Sequence, residues 1–271
     1  MKKDVLIDKY CKGKGLEIGG ADNCVEGIDT LKIDDKTDYF NKKYTVDYIL
    51  DATDFHVFDD NKFDFAITIH VLEHLTNPIK ALLEWNRVVK EGGYIFTAIP
   101  KKEKTFDRYR EKTPLIHLLD DFRYDVGPLD AKHIIEFNQF SVPAIYLEWK
   151  YEMVPNERVV QEITRFYRGE KKALDSGILY NLWRHLETEK LRHLKQVRDG
   201  IPLDIHCHVW ESGEDIEKLL DALMLKSVEI VDNYLGNSIL FVVKVDKNNP
   251  LFKARIEELR KGVYPSWVGI K

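Results

Sequence analysis

The chain has 271 residues, 44% of them apolar, and 41 Lys and Arg against 46 Asp and Glu give a net charge of −5. That length holds one large core, or a domain of common size with an insertion, and the acidic balance argues against a nucleic-acid binder. Cys11, Cys24 and Cys207 form no CxxC pair and no disulfide framework, and the sequence has neither a signal-peptide run nor a membrane-length apolar stretch. A cytoplasmic protein with no direct membrane contact is expected.

Residues 15–20 (GLEIGG) read as a first strand running into a Gly19-Gly20 turn. Residues 30–35 (TLKIDD), 47–53 (DYILDAT), 63–70 (FDFAITIH) and 93–100 (GYIFTAIP) supply four more. These runs are nearly continuous in apolar character, as strands buried on both faces of a parallel sheet are. Between the fourth and fifth, TNPIKALLEWNRVVKEGG carries the clearest helical pattern. Asn77 is placed to cap it and Pro78 to fill its first position, where a missing N–H costs nothing. Ile79, Leu82, Leu83 and Val89 share one stripe, interrupted by Asn86. Gly92 and Gly93 are expected to end the helix in the left-handed conformation. Strand–helix–strand units cross over right-handed, so residues 1–100 predict an open α/β sheet with helices on both faces.

Residues 101–205 are charged, aromatic-rich and mostly helical in period, which predicts an inserted helical cap over the core. The α/β pattern resumes in residues 206–246. There a helix capped by Ser212 precedes SVEIVDNYL and SILFVVKVD, separated by Gly236-Asn237. Gly-Asn between apolar runs signals a tight hairpin, so the last two strands are expected to be antiparallel. Residues 247–271 read as a polar tail with no assigned role.

The phrase FDFAITIHVLEHLTNPIKALLEWNRVVKEGGYIFTAIP resembles the corresponding stretch of class I S-adenosylmethionine-dependent methyltransferases of the type 11 branch. The wider resemblance covers about residues 12–100 and 206–246. It implies a Rossmann-like, seven-stranded, mostly parallel sheet with a terminal antiparallel hairpin and a helical insertion, and S-adenosyl-L-methionine as cofactor. In that family an acid and a glycine-rich turn end the first strand. Glu17, Gly19 and Gly20 take those places, while Ala21 and Asp22 stand where the family has further glycines.

The resemblance places Asp34 (or Asp35) against the ribose hydroxyls, where a charged acceptor bonds strongly. Asp51-Ala52 match the pair that meets the adenine amino group, with Phe55 flanking the ring. Glu17 falls near the methionyl amine, and the His70-Val71 backbone under the sulfonium. Asp34 and Asp51 also suit ordinary strand-end turns, and Glu73-His74 a structural helix start. A nicotinamide Rossmann enzyme is the enzyme rival, but the loop lacks its GxGxxG spacing.

Methyl transfer asks mainly for alignment of acceptor and methyl, worth on the order of 7–11 kcal/mol, and a hydroxyl acceptor also needs a base. Residues 101–122 follow the fifth strand and are the first place to look. Thr113 and Pro114 are expected to start a helix on which His117 and Asp121, four apart, share a face. Asp107, Arg108 and Arg110 precede them, and His133, Asp204, His206 and His208 come from later segments. In an extended segment the last three point to one side. One reading makes a histidine the base and has the arginines hold an anionic or sugar acceptor. The other has His and Asp residues bind a divalent metal. DRYR…TPL.HLL.DF and H.HVW also resemble bacterial methyltransferases of surface-polysaccharide clusters, which implies O-methylation of a sugar or sugar-linked group. N-methylation of an amine or phospho-amine, and a non-catalytic binding module with a degenerate cofactor site, are the alternatives. The partner expected is a small carbohydrate-type acceptor, with a homodimer left open.

Overall fold

The computed structural model describes residues 1–20, 24–39, 42–151, 165 and 178–269. Seven strands make one sheet: β1 (Lys14–Ile18), β2 (Asp29–Asp34), β3 (Tyr48–Ile49), β4 (Phe63–Ile69), β5 (Val89–Pro100), β6 (Lys226–Tyr234) and β7 (Ser238–Lys244). Their order is β3-β2-β1-β4-β5-β7-β6. The first five pair in parallel, and β7 lies antiparallel to both β5 and β6. This is the mostly parallel sheet with a terminal hairpin expected from the sequence. Strand order reverses between β1 and β4, and ligands of open α/β sheets bind at such switch points, beyond the carboxyl ends of the strands.

Among the described residues the α-helices are α1 (Val5–Tyr10), α2 (Pro78–Val88), α3 (Leu115–Arg123), α4 (Ala131–Tyr151), α5 (Ile178–Arg198), α6 (Gly213–Ala222) and α7 (Pro250–Arg260). The Asn77 side chain caps α2, accepting from the Lys80 N–H at 3.0 Å, with Pro78 at its start. Ile79, Leu82, Trp85 and Val88 of α2 are fully buried against the sheet, each contributing about 1.5–3 kcal/mol by leaving water. The Trp85 indole N–H is satisfied by the Ala52 carbonyl at 2.8 Å.

Some elements differ from expectation. The third strand shrinks to two residues, leaving Asp51-Ala52 in the loop beyond it. Helix α2 ends at Val88, before the glycines. Gly92 (φ +75°) instead turns the chain within the extended run, and Gly93 is needed because a Cβ would lie 2.5 Å from the Asp64 carbonyl oxygen. Residues 247–271 are not a bare tail: α7 packs on α3, and Ile256, Leu259 and Val268 join the main core.

Within residues 101–205, α4 and α5 pack together around Ile134, Phe137, Leu147, Leu182 and Leu186. Ile205 and Cys207 of the returning chain are part of that cluster. Much of the helical pattern read in residues 156–177 lies outside the described residues. No helix among the described residues is long and apolar enough to cross a membrane.

Candidate functional site

The edge to which the sequence resemblance assigns the cofactor is built at the ends of β1, β2 and β4. Gly19 adopts φ +68°, and a Cβ there would sit 2.3 Å from Val71 Cγ2, so the turn presses against the loop after β4 in a way that only glycine allows. Its N–H is held by the Ile33 carbonyl at 2.8 Å. Glu17 is buried and braces the loop: Oε1 accepts from the Val25 N–H at 2.6 Å and Oε2 from the Thr30 hydroxyl at 3.1 Å. Asp34 ends β2, buried, accepting from the Asp35 N–H at 2.9 Å. Asp51 accepts from the N–H and hydroxyl of Thr53, both at 2.7 Å. Phe55 is fully buried against Phe58 in the core and so offers no face to a ligand ring. Ala21 and Asp22 lie outside the described residues.

His70 follows β4 with φ +56° and pairs through Nε2 with the Ser238 hydroxyl at 2.7 Å. Burial holds its imidazole below the ordinary value. A single 3-10 turn, Leu72–His74, then places Glu73 and His74. The acids at the ends of β2 and β3, with a turn of minimal bulk between strands, fit the diol, adenine and backbone approach that S-adenosylmethionine requires.

Two groups of titratable side chains gather beyond this edge, and the segment through residues 203–209 feeds both. In the first, His206 Nδ1 makes a short bond to Asp107 Oδ2. Asp107 Oδ1 accepts from the Ser141 hydroxyl at 2.5 Å and from Arg110 Nη1 at 3.2 Å. Burial alone would raise the Asp107 pKa, but His206 and Arg110 outweigh it and hold the carboxyl below its usual range. Arg110, 1% exposed, also donates to the carbonyls of His206 (2.7 Å) and Cys207 (3.0 Å). The His74 ring meets the His206 ring edge-on at 4.7 Å. Asp204 Oδ1 is 2.9 Å from His74 Nδ1, and Lys36 donates to Asp204 Oδ2 at 2.9 Å. Burial would lower the His74 pKa, yet Asp204 and Glu73 raise it. Glu73 is 1% exposed, and neither of its carboxylate oxygens has a hydrogen bond.

In the second group, three imidazoles face one carboxylate oxygen. Asp121 Oδ2 lies 3.2 Å from His117 Nε2, 3.5 Å from His133 Nε2 and 3.6 Å from His208 Nε2. Thr113 ties α3 to the returning segment: its N–H donates to the Val209 carbonyl and its hydroxyl accepts from the Val209 N–H, both at 2.9 Å. The Glu73 carbonyl accepts from the N–H groups of Cys207 (2.7 Å) and His208 (3.1 Å), joining the segment to the end of β4.

The sequence thus named most members of both groups but read Asp204, His206 and His208 as one side of one strand. The segment forms no regular strand here, and the three side chains go to different partners. The arginines do not point at an acceptor: Arg108 pairs with Glu148 at 2.7 Å, and Arg110 is spent on the backbone. Ser141 was missed, since no local pattern links it to Asp107, 34 residues away in the chain.

Residues 8–97 match the family model described as a methyltransferase domain. The match covers about a third of the chain. The match supports the class of enzyme and S-adenosylmethionine as its cofactor. An uncharacterized protein of Methanocaldococcus jannaschii is 32% identical to the chain over 133 residues, which is 46% of this chain and 62% of that protein. An uncharacterized methyltransferase of Schizosaccharomyces pombe is 53% identical over 38 residues, 14% of each chain. The chain therefore spans less than two thirds of either relative. Among solved structures, a SAM-dependent methyltransferase from Methanosarcina mazei is 12% identical, with 90% of this chain and 98% of that one covered at a TM-score of 0.44. Gly19, Asp34, Asp51 and the His70-Val71 backbone, which the sequence resemblance assigns to the cofactor, all fall within the matched residues.

Proposed function

We propose that the protein transfers the methyl group of S-adenosylmethionine to a hydroxyl of a small carbohydrate-type acceptor, with His206 as the general base. The observation that carries this reading is the buried Asp107–His206 pair beside the loop that ends β4. An imidazole whose Nδ1–H is donated to a fixed carboxylate presents an unprotonated Nε2, ready to accept a proton. Asp107 is itself fixed by Ser141 and Arg110, so the ring is held at both ends of the chain of contacts. The charges of Glu73, His206 and His74 act on His70, which supports reading the base on the same side of the sheet as the loop that ends β4.

Bound cofactor supplies a methyl carbon already activated by positive sulfur. The chain's part is to align the acceptor, exclude water and take up the hydroxyl proton. Glu73, a buried carboxylate without hydrogen bonds, supplies an acceptor for a second hydroxyl of a polyol ligand. A carbohydrate suits such a site, and the sequence resemblance to polysaccharide-cluster methyltransferases favours it.

Titration calorimetry with S-adenosylmethionine and S-adenosylhomocysteine, followed by methyl transfer to a panel of sugar nucleotides, tests the reading. Binding of both, and product with at least one sugar acceptor, is expected. Failure to bind either compound in a folded sample overturns it. Unimpaired turnover of His206→Gln removes the histidine from its role and favours an amine acceptor, which needs less base catalysis.

A further inference from the structure

We infer that His117, Asp121, His133 and His208 form a four-ligand site for a divalent transition-metal ion, zinc by preference, which clamps the helical cap to the methyltransferase core. The first argument is geometric. Four ligand atoms about 2.0–2.1 Å from a tetrahedral centre stand about 3.3–3.4 Å apart. The three imidazole nitrogens lie 3.2, 3.5 and 3.6 Å from Asp121 Oδ2. All four ligand atoms fall within 4.8 Å of one another.

The second argument is what the group lacks. His133 is 1% exposed, and neither of its ring nitrogens has a hydrogen-bond partner. Asp121 Oδ2 is buried and equally unpartnered, whereas His208 Nε2, the nitrogen that faces it, contacts the Thr76 carbonyl at 3.3 Å. The contacts to Asp121 Oδ2 have ion-pair distances without hydrogen-bond geometry. Buried polar atoms are nearly always satisfied, and two facing atoms, His133 Nε2 and Asp121 Oδ2, left unsatisfied 3.5 Å apart call for an explanation. A cation between them satisfies the carboxylate and three lone pairs together.

Protonated imidazoles serve less well. The ring centroids are 4.9–5.6 Å apart, so more than one positive ring would set like charges against each other. His208 Nε2 has one competing contact, a long 3.3 Å approach to the Thr76 carbonyl. His117, with 30% of its side chain exposed, marks the side from which an ion enters.

Ligand chemistry narrows the ion. Imidazole with one carboxylate suits zinc and its first-row neighbours, not calcium or magnesium, which prefer oxygen. Four protein ligands close the shell, the mark of a structural rather than a catalytic centre. The ligands come from α3, from the start of α4 and from the segment two residues beyond His206. The ion thereby joins three pieces of chain, and it sets the position of His206 without touching the acceptor.

Elemental analysis of purified, tag-free protein tests this directly. About one zinc per chain is expected, and chelation should lower the melting temperature by several degrees. His133→Ala and Asp121→Ala should lose the metal, while His74→Ala should keep it. If His133→Ala does not fold, His117→Gln is the milder variant, expected to release zinc to a chelator faster than the parent. The inference falls if the protein holds no divalent metal and chelator-treated protein takes up no zinc chloride. It falls equally if His133→Ala and His117→Gln retain zinc as the parent does, or if only His74→Ala loses it. Calorimetric binding of S-adenosylmethionine, measured on the same sample, fails or succeeds separately.

Discussion

Two histidine groups share one short stretch of chain, yet they are wired in opposite ways. Around His206 the contacts are hydrogen bonds: Asp107 holds the ring, and Ser141 and Arg110 hold Asp107. Around His208 the contacts converge on one oxygen and almost none is a hydrogen bond. A ring fixed at one nitrogen leaves the other free for a proton. Rings that converge on one carboxylate oxygen are the arrangement the proposed metal site requires. The same residue type, two positions apart, is thus given two different surroundings, which is why two different roles are proposed for it.

The sharpest way to break this contrast is to cross the two readouts. His206→Ala should slow methyl transfer by about 10²–10⁴-fold, the range of a lost general base, with zinc content unchanged. If it releases zinc as His133→Ala should, the two groups are one site. Next in size is Arg110→Ala. It leaves Asp107 buried with a charge partner missing and strips the 206–207 carbonyls of their donors. Breaking one side of a buried pair costs about 3–5 kcal/mol, and denaturant unfolding should show a loss of that order.

Gly19→Ala comes third. It forces a Cβ into Val71 at positive φ, so it should destabilise by more than the roughly 0.4–1 kcal/mol by which a strain-free glycine replacement stabilises. S-adenosylmethionine affinity should fall with it and zinc content should not. The smallest effect concerns His74. Its raised pKa means that its ion pair with Asp204 stabilises fully below about pH 6.5 and fades as pH rises through the raised value. Asp204, held low by His74 and Lys36 against the opposing effect of burial, keeps its share until well below pH 4. Glu73, Lys36, His206 and His70 are the other groups facing His74. With Asp204 about a third exposed, the effect should stay below about 1 kcal/mol. Melts of Asp204→Asn and the parent should differ more at pH 6 than at pH 9, and an equal difference at both would sink the assignment.

Much of the fold was written in local pattern. Buried strands declare themselves as apolar runs, and α2 through Asn77, Pro78 and its apolar stripe, because periodicity and capping act within a turn or two of chain. The short third strand and the early end of α2 escaped, since hydrogen-bond partners across the sheet decide where an element stops. Residue types with chemistry to offer were also legible: His117 and Asp121 by helical spacing, Asp34 and Asp51 by their places after strands. What spacing could not supply was pairing. His206 finds Asp107 across 99 residues, and Asp121 gathers His133 and His208 from separate elements. Those encounters follow from how α4 and α5 bury the returning segment against the core, a choice made by apolar packing over the whole chain and visible only once it is folded.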